Sequence, residues 1–207
     1  MKIIITAGGT SEKIDNVRKI TNSSSGKLGL CIANELIRSK GKEIETLYYI
    51  CNKEAYKPTD DKVKVIEISS TIELKEVIEK LLTNEKIDYF IHSMAVSDYM
   101  VSYVSSSSLL SSEIENNNYK DIECTIINNK NVINCNKISS NEDNLIILLK
   151  PTPKVISIIK SISPNTFLVG FKLLDGVSEK KLINVAEKLL NKNKCDLVVA
   201  NDLKKIR

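Results

Sequence analysis

Lys2-Ile-Ile-Ile-Thr-Ala-Gly8-Gly9-Thr10-Ser11 opens the chain with a short β-branched run that breaks on a glycine pair. Residues 2–6 read as a first strand, because branched side chains suit a packed, pleated surface and Gly-Gly ends it. The apolar residues are consecutive, not alternating, which predicts a strand buried on both faces. Outward from it, the two periodicities take turns. Residues 26–40 carry Leu28, Cys31, Ile32, Leu36 and Ile37 at helical spacing, and residues 43–51 and 63–68 read as strands. Residues 71–83 form an amphipathic helix with Ser70 or Thr71 as its cap, and residues 87–94 an apolar strand. After a break, residues 145–149 are a continuous apolar strand. Residues 153–162 are helical, with Pro153 placed in the first turn. Residues 167–173 are a strand, 178–191 a helix and 197–200 a last strand. This alternation predicts a three-layer α/β fold with a mostly parallel sheet.

The 207 residues correspond to about one domain with room for a large insertion. Apolar residues make up 42% and charged residues 27%, which excludes a wholly disordered or collagen-like chain. No apolar run approaches the ~18 residues of a membrane span, and the N-terminal apolar stretch is too short for a signal peptide. A cytoplasmic location without membrane contact is the expectation. Thirty Lys+Arg stand against twenty-six Asp+Glu, with only three arginines and no dense basic block, so nucleic-acid binding is not favoured. The cysteines (31, 51, 124, 135 and 195) form no C-x-x-C pair, and His92 is the sole histidine, so neither a zinc site nor a disulfide framework is expected. Any His-dependent triad would have to use His92, which otherwise reads as a strand-end side chain.

The break spans residues 99–143 and is rich in serine and asparagine. It is too long for an ordinary connection. It reads either as a tolerated surface insertion or as a functional flap or dimerisation arm; residues 124–127 and 131–133 alternate weakly enough to pair as a hairpin.

Ligands of open α/β sheets bind at the carboxyl ends of the strands, so the residues just beyond each strand are the candidates. After the first strand, Gly8 and Gly9 let backbone N–H groups approach an anion, although a plain tight turn accounts for them equally. The stretch Asn22-Ser23-Ser24-Ser25-Gly26-Lys27 precedes a helix, whose free N–H groups favour anions; a serine cap is the alternative. Ala95-Val-Ser-Asp98-Tyr99 comes after the 87–94 strand, with small residues for a flat ligand and Asp98 to accept from an amino group. The last two strands end in Gly170-Phe171-Lys172 and Ala200-Asn201-Asp202.

Five ordered motifs together resemble the phosphopantothenate–cysteine ligase (phosphopantothenoylcysteine synthetase) family, in its monofunctional bacterial type. They are Thr6-Ala-Gly-Gly-Thr-Ser-Glu-Lys-Ile-Asp15, Arg18-Lys-Ile-Thr-Asn22-Ser-Ser-Ser-Gly26-Lys27-Leu-Gly29, Ala95-Val-Ser-Asp98-Tyr99, Val169-Gly-Phe171-Lys172 and Asp196-Leu-Val-Val-Ala-Asn201-Asp202. The second is the specific one. The resemblance covers nearly the whole chain apart from residues 99–136. It implies a Rossmann-like fold forming one ligase domain over residues 1–207, with residues 99–143 as flap or insertion.

The resemblance also implies a reaction. Such ligases activate 4′-phosphopantothenate with a nucleoside triphosphate, CTP or ATP accompanied by Mg²⁺, to an acyl-nucleotidylate with release of pyrophosphate. L-Cysteine then forms the amide, giving 4′-phosphopantothenoylcysteine for coenzyme A. Gly8, Gly9, Thr10, Ala95, Asp98, Phe171 and Lys172 would form the nucleotide site, and Ser24, Ser25 and Gly26 would receive phosphate. Asn22 matches the asparagine that converts the acyl-nucleotidylate. Lys137, in Asn136-Lys-Ile-Ser-Ser140, matches the flap lysine near the α-phosphate, although serines stand at 139 and 140 where the family has lysines. Ser23 stands where many members have arginine, and Arg18 and Asn201 have less defined roles. A homodimer is implied, as is a separate phosphopantothenoylcysteine decarboxylase acting on the product, with no flavin bound to this chain. The competing readings are an NAD(P)-dependent reductase and a non-catalytic nucleotide-binding module. Against the reductase, the fingerprint's third glycine is missing and residue 103 is Tyr where the Tyr-x-x-x-Lys pattern from Tyr99 needs lysine.

Overall fold

The computed structural model describes residues 1–117, 138–139 and 144–206. The chain runs β1 (Lys2–Ala7), β2 (Ser11–Lys13), β3 (Lys19–Thr21), α1 (Lys27–Lys40), β4 (Thr46–Cys51), β5 (Val63–Glu67), α2 (Thr71–Asn84), β6 (Tyr89–His92) and β7 (Tyr99–Ser106). It continues through α3 (Ser107–Asn117), β8 (Leu145–Pro151), α4 (Ile156–Ile162), β9 (Phe167–Leu174), α5 (Glu179–Asn193), β10 (Leu197–Asp202) and α6 (Leu203–Ile206). Two compact units result, one of residues 1–10, 22–96 and 153–207, the other of residues 11–21 and 97–152.

In the first unit, six strands form one parallel sheet in the order β10-β9-β6-β1-β4-β5. β1 is buried on both faces, as its apolar run predicts. Ile4 joins Tyr48, Ile50, Leu74, Ile78, Phe90 and Leu168 on one face. Ile3, Ile5 and Ala7 join Ala33, Leu47, Tyr49 and Cys51 on the other. α1 covers the second face after β1, and α2 crosses on the first face between β5 and β6, giving helix, sheet and helix layers. The chain therefore leaves β1 toward β4 on one side and returns to β6 on the other. That reversal is the topological switch point of a Rossmann-like sheet, and it opens at the carboxyl ends of β1 and β6.

The helix boundaries reflect local chemistry. Ser70 accepts from the Glu73 N–H at 3.2 Å and caps α2; Ser178 accepts from Lys181 at 3.4 Å and caps α5. α4 begins at Ile156, so Pro153 precedes the helix and does not occupy its first turn. Lys194 ends α5 in the left-handed region at φ 53°.

The second unit corrects the reading of residues 99–143 as one break. β7 pairs antiparallel with β8 as a separate ribbon, and α3 comes directly after β7. Residues 145–149 therefore lie in that ribbon and not in the parallel sheet. An apolar run of five carries the same pattern in either setting. The serines of β7 read as loop in the sequence, yet Ser105 and Ser106 are 1% exposed. The unit also takes in the β2–β3 hairpin, which lies inside motifs that read from sequence only as connection. Residues 124–127 and 131–133 lie outside the described residues. Among the described residues no helix is long and apolar enough to cross a membrane, and Cys31, Cys51 and Cys195 are free thiols. Burial pushes the Cys51 thiol up to about 11.

Candidate active site

Register fixes which residues reach the rim of the parallel sheet. Thr6 aligns with His92, and His92 with Gly170, so the next residues out are Ala7, Ser93 and Phe171. One level further lie Gly8, Met94 and Lys172, and Gly9 pairs with Ala95 in an isolated parallel bridge. β10 lies beside β9 with Val199 opposite Phe171 and Asn201 opposite Leu173. Gly8, Gly9, Ala95, Phe171, Lys172 and Asn201 thus meet at one edge, as the strand-end rule leads one to expect. Phe171, Lys172 and Asn201 are all partly exposed there.

The glycine turn is built differently from an open cradle of N–H groups. The Gly9 N–H donates to Asn52 Oδ1 at 3.3 Å, and the Thr10 N–H to the Ala95 carbonyl at 3.2 Å. Ala95 N–H donates to the Gly8 carbonyl at 2.8 Å. Two of the turn's donors are therefore spent inside the protein. The glycines serve close approach: a Cβ on Gly9 would overlap the carbonyl oxygen of Asn22, and one on Gly8, at φ 81°, would overlap Asn52 Oδ1. Gly29 does the same for helix packing, since a Cβ there would overlap that of Ala7. Thr10 is fully buried, and its hydroxyl accepts from that of Thr71 at 3.2 Å, so its side chain supports the turn from within.

Asn22 lies at this edge. Its backbone N–H donates to the Thr10 carbonyl at 3.3 Å, and its side-chain Nδ2 to the Val96 carbonyl at 3.0 Å. Both ends of the switch point therefore hold this residue, one through its backbone and the other through its side-chain amide. Ser24, Ser25 and Gly26 lead into α1. Gly26 occupies the cap position at φ 75° with no side-chain cap bond, and Ser25 Oγ accepts from the Lys27 N–H at 3.4 Å. Helix N-termini with free N–H groups favour anions.

Asn52, immediately after β4, is a site residue that the sequence reading does not single out. The rule applied to the other strand ends points to it, since it is the first polar residue after a wholly buried strand. His92 ends β6 with Nδ1 2.8 Å from Thr6 Oγ1, and burial pushes its imidazole down to about 4. It is a buried neutral side chain, as its strand-end reading predicts.

The second unit carries Arg18 and Asp98. Burial favours a neutral Asp15, but N–H bonds from Val17 and Arg18 (both 2.7 Å) and Ile138 (3.1 Å), with the Arg18 charge, outweigh it and hold the carboxyl below its ordinary range. Arg18 Nη2 donates to the Ile138 carbonyl at 2.8 Å. The Ile-Asp-x-Val-Arg pattern is thus a turn that grips both backbone groups of Ile138. Asp98 is exposed just before β7, and its carbonyl accepts from Thr152 at 3.0 Å. Lys137 lies outside the described residues. In the first unit, Asp202 accepts from Gly176 (2.9 Å), Val177 (3.2 Å) and Lys204 (3.0 Å), tying the β9–α5 loop to the end of β10.

Comparison with known proteins agrees with this architecture. The family described as DNA/pantothenate metabolism flavoprotein C-terminal domain matches residues 1–135 and 128–207. The coenzyme A biosynthesis bifunctional protein CoaBC of Thermococcus kodakarensis is 34% identical over 203 residues, covering 98% of this chain and 41% of that protein. The chain thus spans about two fifths of that curated relative. The crystal structure of the DNA/pantothenate metabolism flavoprotein from Streptococcus pneumoniae superposes with a TM-score of 0.84 at 37% identity, covering 100% of this chain and 84% of that one. The Cab2 mutant H337A in complex with phosphopantothenate-cysteine shares the fold, with a TM-score of 0.70 at 16% identity, covering 99% of this chain and 73% of that one.

Proposed function

This chain belongs to the DNA/pantothenate metabolism flavoprotein C-terminal domain family, and on that premise we propose that it is a phosphopantothenate–cysteine ligase. The observation that carries the reading is the switch-point edge, where the glycine turn, Asn22 and the uncapped start of α1 converge. The substrates are 4′-phosphopantothenate, L-cysteine and a nucleoside triphosphate, with CTP as the first choice and ATP as the alternative. The pantothenate carboxylate attacks the α-phosphorus and pyrophosphate leaves. The cysteine amine then attacks the acyl carbon, loses a proton, and expels the nucleoside monophosphate.

Each residue has a proposed task. Gly8, Gly9, Thr10 and Ala95 shape the nucleotide pocket, Phe171 packs on the base and Lys172 offsets phosphate charge. Asp98 accepts from the base amino group. Ser24, Ser25 and Gly26 receive a phosphate at the start of α1. Asn22 donates to the oxyanion that develops as the amine attacks, and Lys137 offsets charge at the α-phosphate. Arg18 and Asn201 are assigned to support rather than to chemistry. No group of three His, Cys, Asp or Glu among the described residues could hold a metal ion. Magnesium in this reaction would be held chiefly by triphosphate oxygens and water, as is usual for that ion. The working unit proposed is the whole of residues 1–207 as one cytoplasmic ligase domain, acting as a homodimer, with a decarboxylase consuming its product.

Two observations disfavour the reductase. The residue after β4, where a dinucleotide site places an acidic ribose ligand, is an asparagine committed to Gly9 and Glu54. The buried N–H groups of Gly9 and Thr10 are also spent. The test is chemical. Asn22→Asp should still release one equivalent of pyrophosphate and accumulate the acyl-nucleotidylate, with amide formation stalled. Lys137→Ala should lower pyrophosphate release severely. Normal phosphopantothenoylcysteine formation by Asn22→Asp would remove the role given to Asn22.

A further inference from the structure

The segment after β4 grips both glycine turns of the switch-point edge. Asn52 is 9% exposed. Its Oδ1 accepts from the Gly9 N–H, and its Nδ2 donates to Glu54 Oε2 at 3.1 Å. Ala55 sits where a Cβ on Gly26 or Gly8 would press, within 2.9 and 3.1 Å of those positions. The Tyr56 N–H donates to the Ser25 carbonyl at 3.1 Å, and Tyr49 Oη donates to the Tyr56 carbonyl at 3.0 Å. A single amide thus spans from a buried backbone donor to a carboxylate, with one acceptor and one donor that only one amide orientation satisfies.

We infer that Asn52, oriented by Glu54, is a positioning residue that fixes the Gly8–Gly9 turn in the form that receives the nucleotide. The inference rests on the nucleotide-dependent reading above. Its physical basis is that Gly8 and Gly9 have no side chains of their own to hold them, so the turn keeps its shape through the partners its N–H groups meet. The carboxylate of Glu54 selects the Asn52 orientation with nitrogen outward. Oδ1 is then left facing Gly9. A merely packed asparagine would depend on size; this one depends on the order of donor and acceptor.

That order can be reversed. Asn52→Asp keeps the acceptor for Gly9 but sets a second carboxylate against Glu54. Pairing Asn52→Asp with Glu54→Gln restores a donor opposite an acceptor, now with the amide on residue 54. Amide hydrogen exchange should be about tenfold faster in a peptide covering residues 8–10 for Asn52→Ala and Asn52→Asp, with β1 unchanged. The double variant should return to the wild-type rate. CTP and ATP affinity by calorimetry, and the nucleotide KM, should weaken about tenfold in the single variants and recover in the double, with kcat within about twofold throughout.

Equal exchange in wild type and both single variants would overturn the inference, as would nucleotide affinity that tracks side-chain size, with the double variant no better than Asn52→Ala. A wild type that binds nucleotide but releases no pyrophosphate would instead sink the ligase reading and leave Asn52 in its role. A wild type that binds neither nucleotide would overturn both.

Discussion

Gly9→Ala tests the tightest approach of backbone to backbone in the site. The added methyl would overlap the Asn22 carbonyl oxygen and lie 3.1 Å from its carbonyl carbon and 3.6 Å from the Ala95 oxygen. All three atoms are backbone, so no side chain can swing aside, and the Asn22 segment must retreat by on the order of an ångström. Overpacking of this kind costs ~1–3 kcal/mol, and with only backbone to yield the upper end applies. For a chain of this size each kcal/mol is worth about 2–4 °C, so Tm should fall by roughly 6–12 °C. Because Asn22 moves with the turn, amide formation, and with it sustained cysteine-dependent pyrophosphate release, should drop by about a hundredfold, the usual penalty for misplacing a site by that distance. Gly170→Ala is the matched control. Its new methyl would meet Cys195 Sγ and Ile156 Cδ1 at 3.3 Å, both ends of side chains that can turn, so the loss should stay under about 4 °C. The assay is differential scanning calorimetry of both variants with a pyrophosphate-coupled rate. If Gly9→Ala loses no more than Gly170→Ala and keeps its rate, the account of the glycine pair as a close-approach device is wrong.

Further expectations concern titration and packing. His92 is the sole histidine, so its imidazole proton signal can be tracked by NMR without assignment; it should stay neutral from pH 8 to 5 and titrate near 4, and a midpoint near 6.5 would contradict its burial. The unfolded state takes up a proton near 6.5, whereas the folded state does not until about 4. His92 thus costs nothing above pH 7, and it destabilises progressively as pH falls from 6.5 to 4, by up to ~3 kcal/mol, measurable by urea unfolding at stepped pH. For Asp15 the folded carboxyl lies below its ordinary 3.8. Its contribution is present above the ordinary value and lost as pH falls through the folded one. The stability gap between wild type and Asp15→Asn should therefore narrow on acidification below pH 4, and a constant gap would remove the carboxylate from that turn. Phe90→Ala, at a fully buried position, should cost ~3–5 kcal/mol in the same unfolding assay.

The parallel sheet is legible in the sequence because its periodicities are strong: β1 carries residues 3–5 and β4 carries residues 47–51 as consecutive apolar runs, and α2 carries Leu74, Ile78 and Leu82 on one buried stripe. The strand ends are legible too: the rule that ligands bind beyond the carboxyl ends picks out Gly9, Ala95, Phe171 and Lys172, and the register brings them to one edge. The chain hides pairing between partners distant in sequence. β7 depends on β8 some forty residues later, and its buried serines imitate loop. The use of Asp15 is hidden for the same reason, because its third donor comes from Ile138. The strand-end rule reaches Asn52 as well, but its task stays hidden, because that comes only from the backbone donor it faces. The motif glycines are visible, but their purpose differs. They admit the backbone of Asn22 and the side chain of Asn52 where an anion cradle was the alternative.

The decisive measurement is pyrophosphate release from the wild-type protein with 4′-phosphopantothenate, Mg²⁺ and either CTP or ATP, with and without L-cysteine. The account predicts sustained release only when cysteine is present, together with stoichiometric phosphopantothenoylcysteine, and faster turnover with CTP. Folded protein that releases no pyrophosphate with either nucleotide, or that releases it without forming the amide when cysteine is supplied, would contradict it.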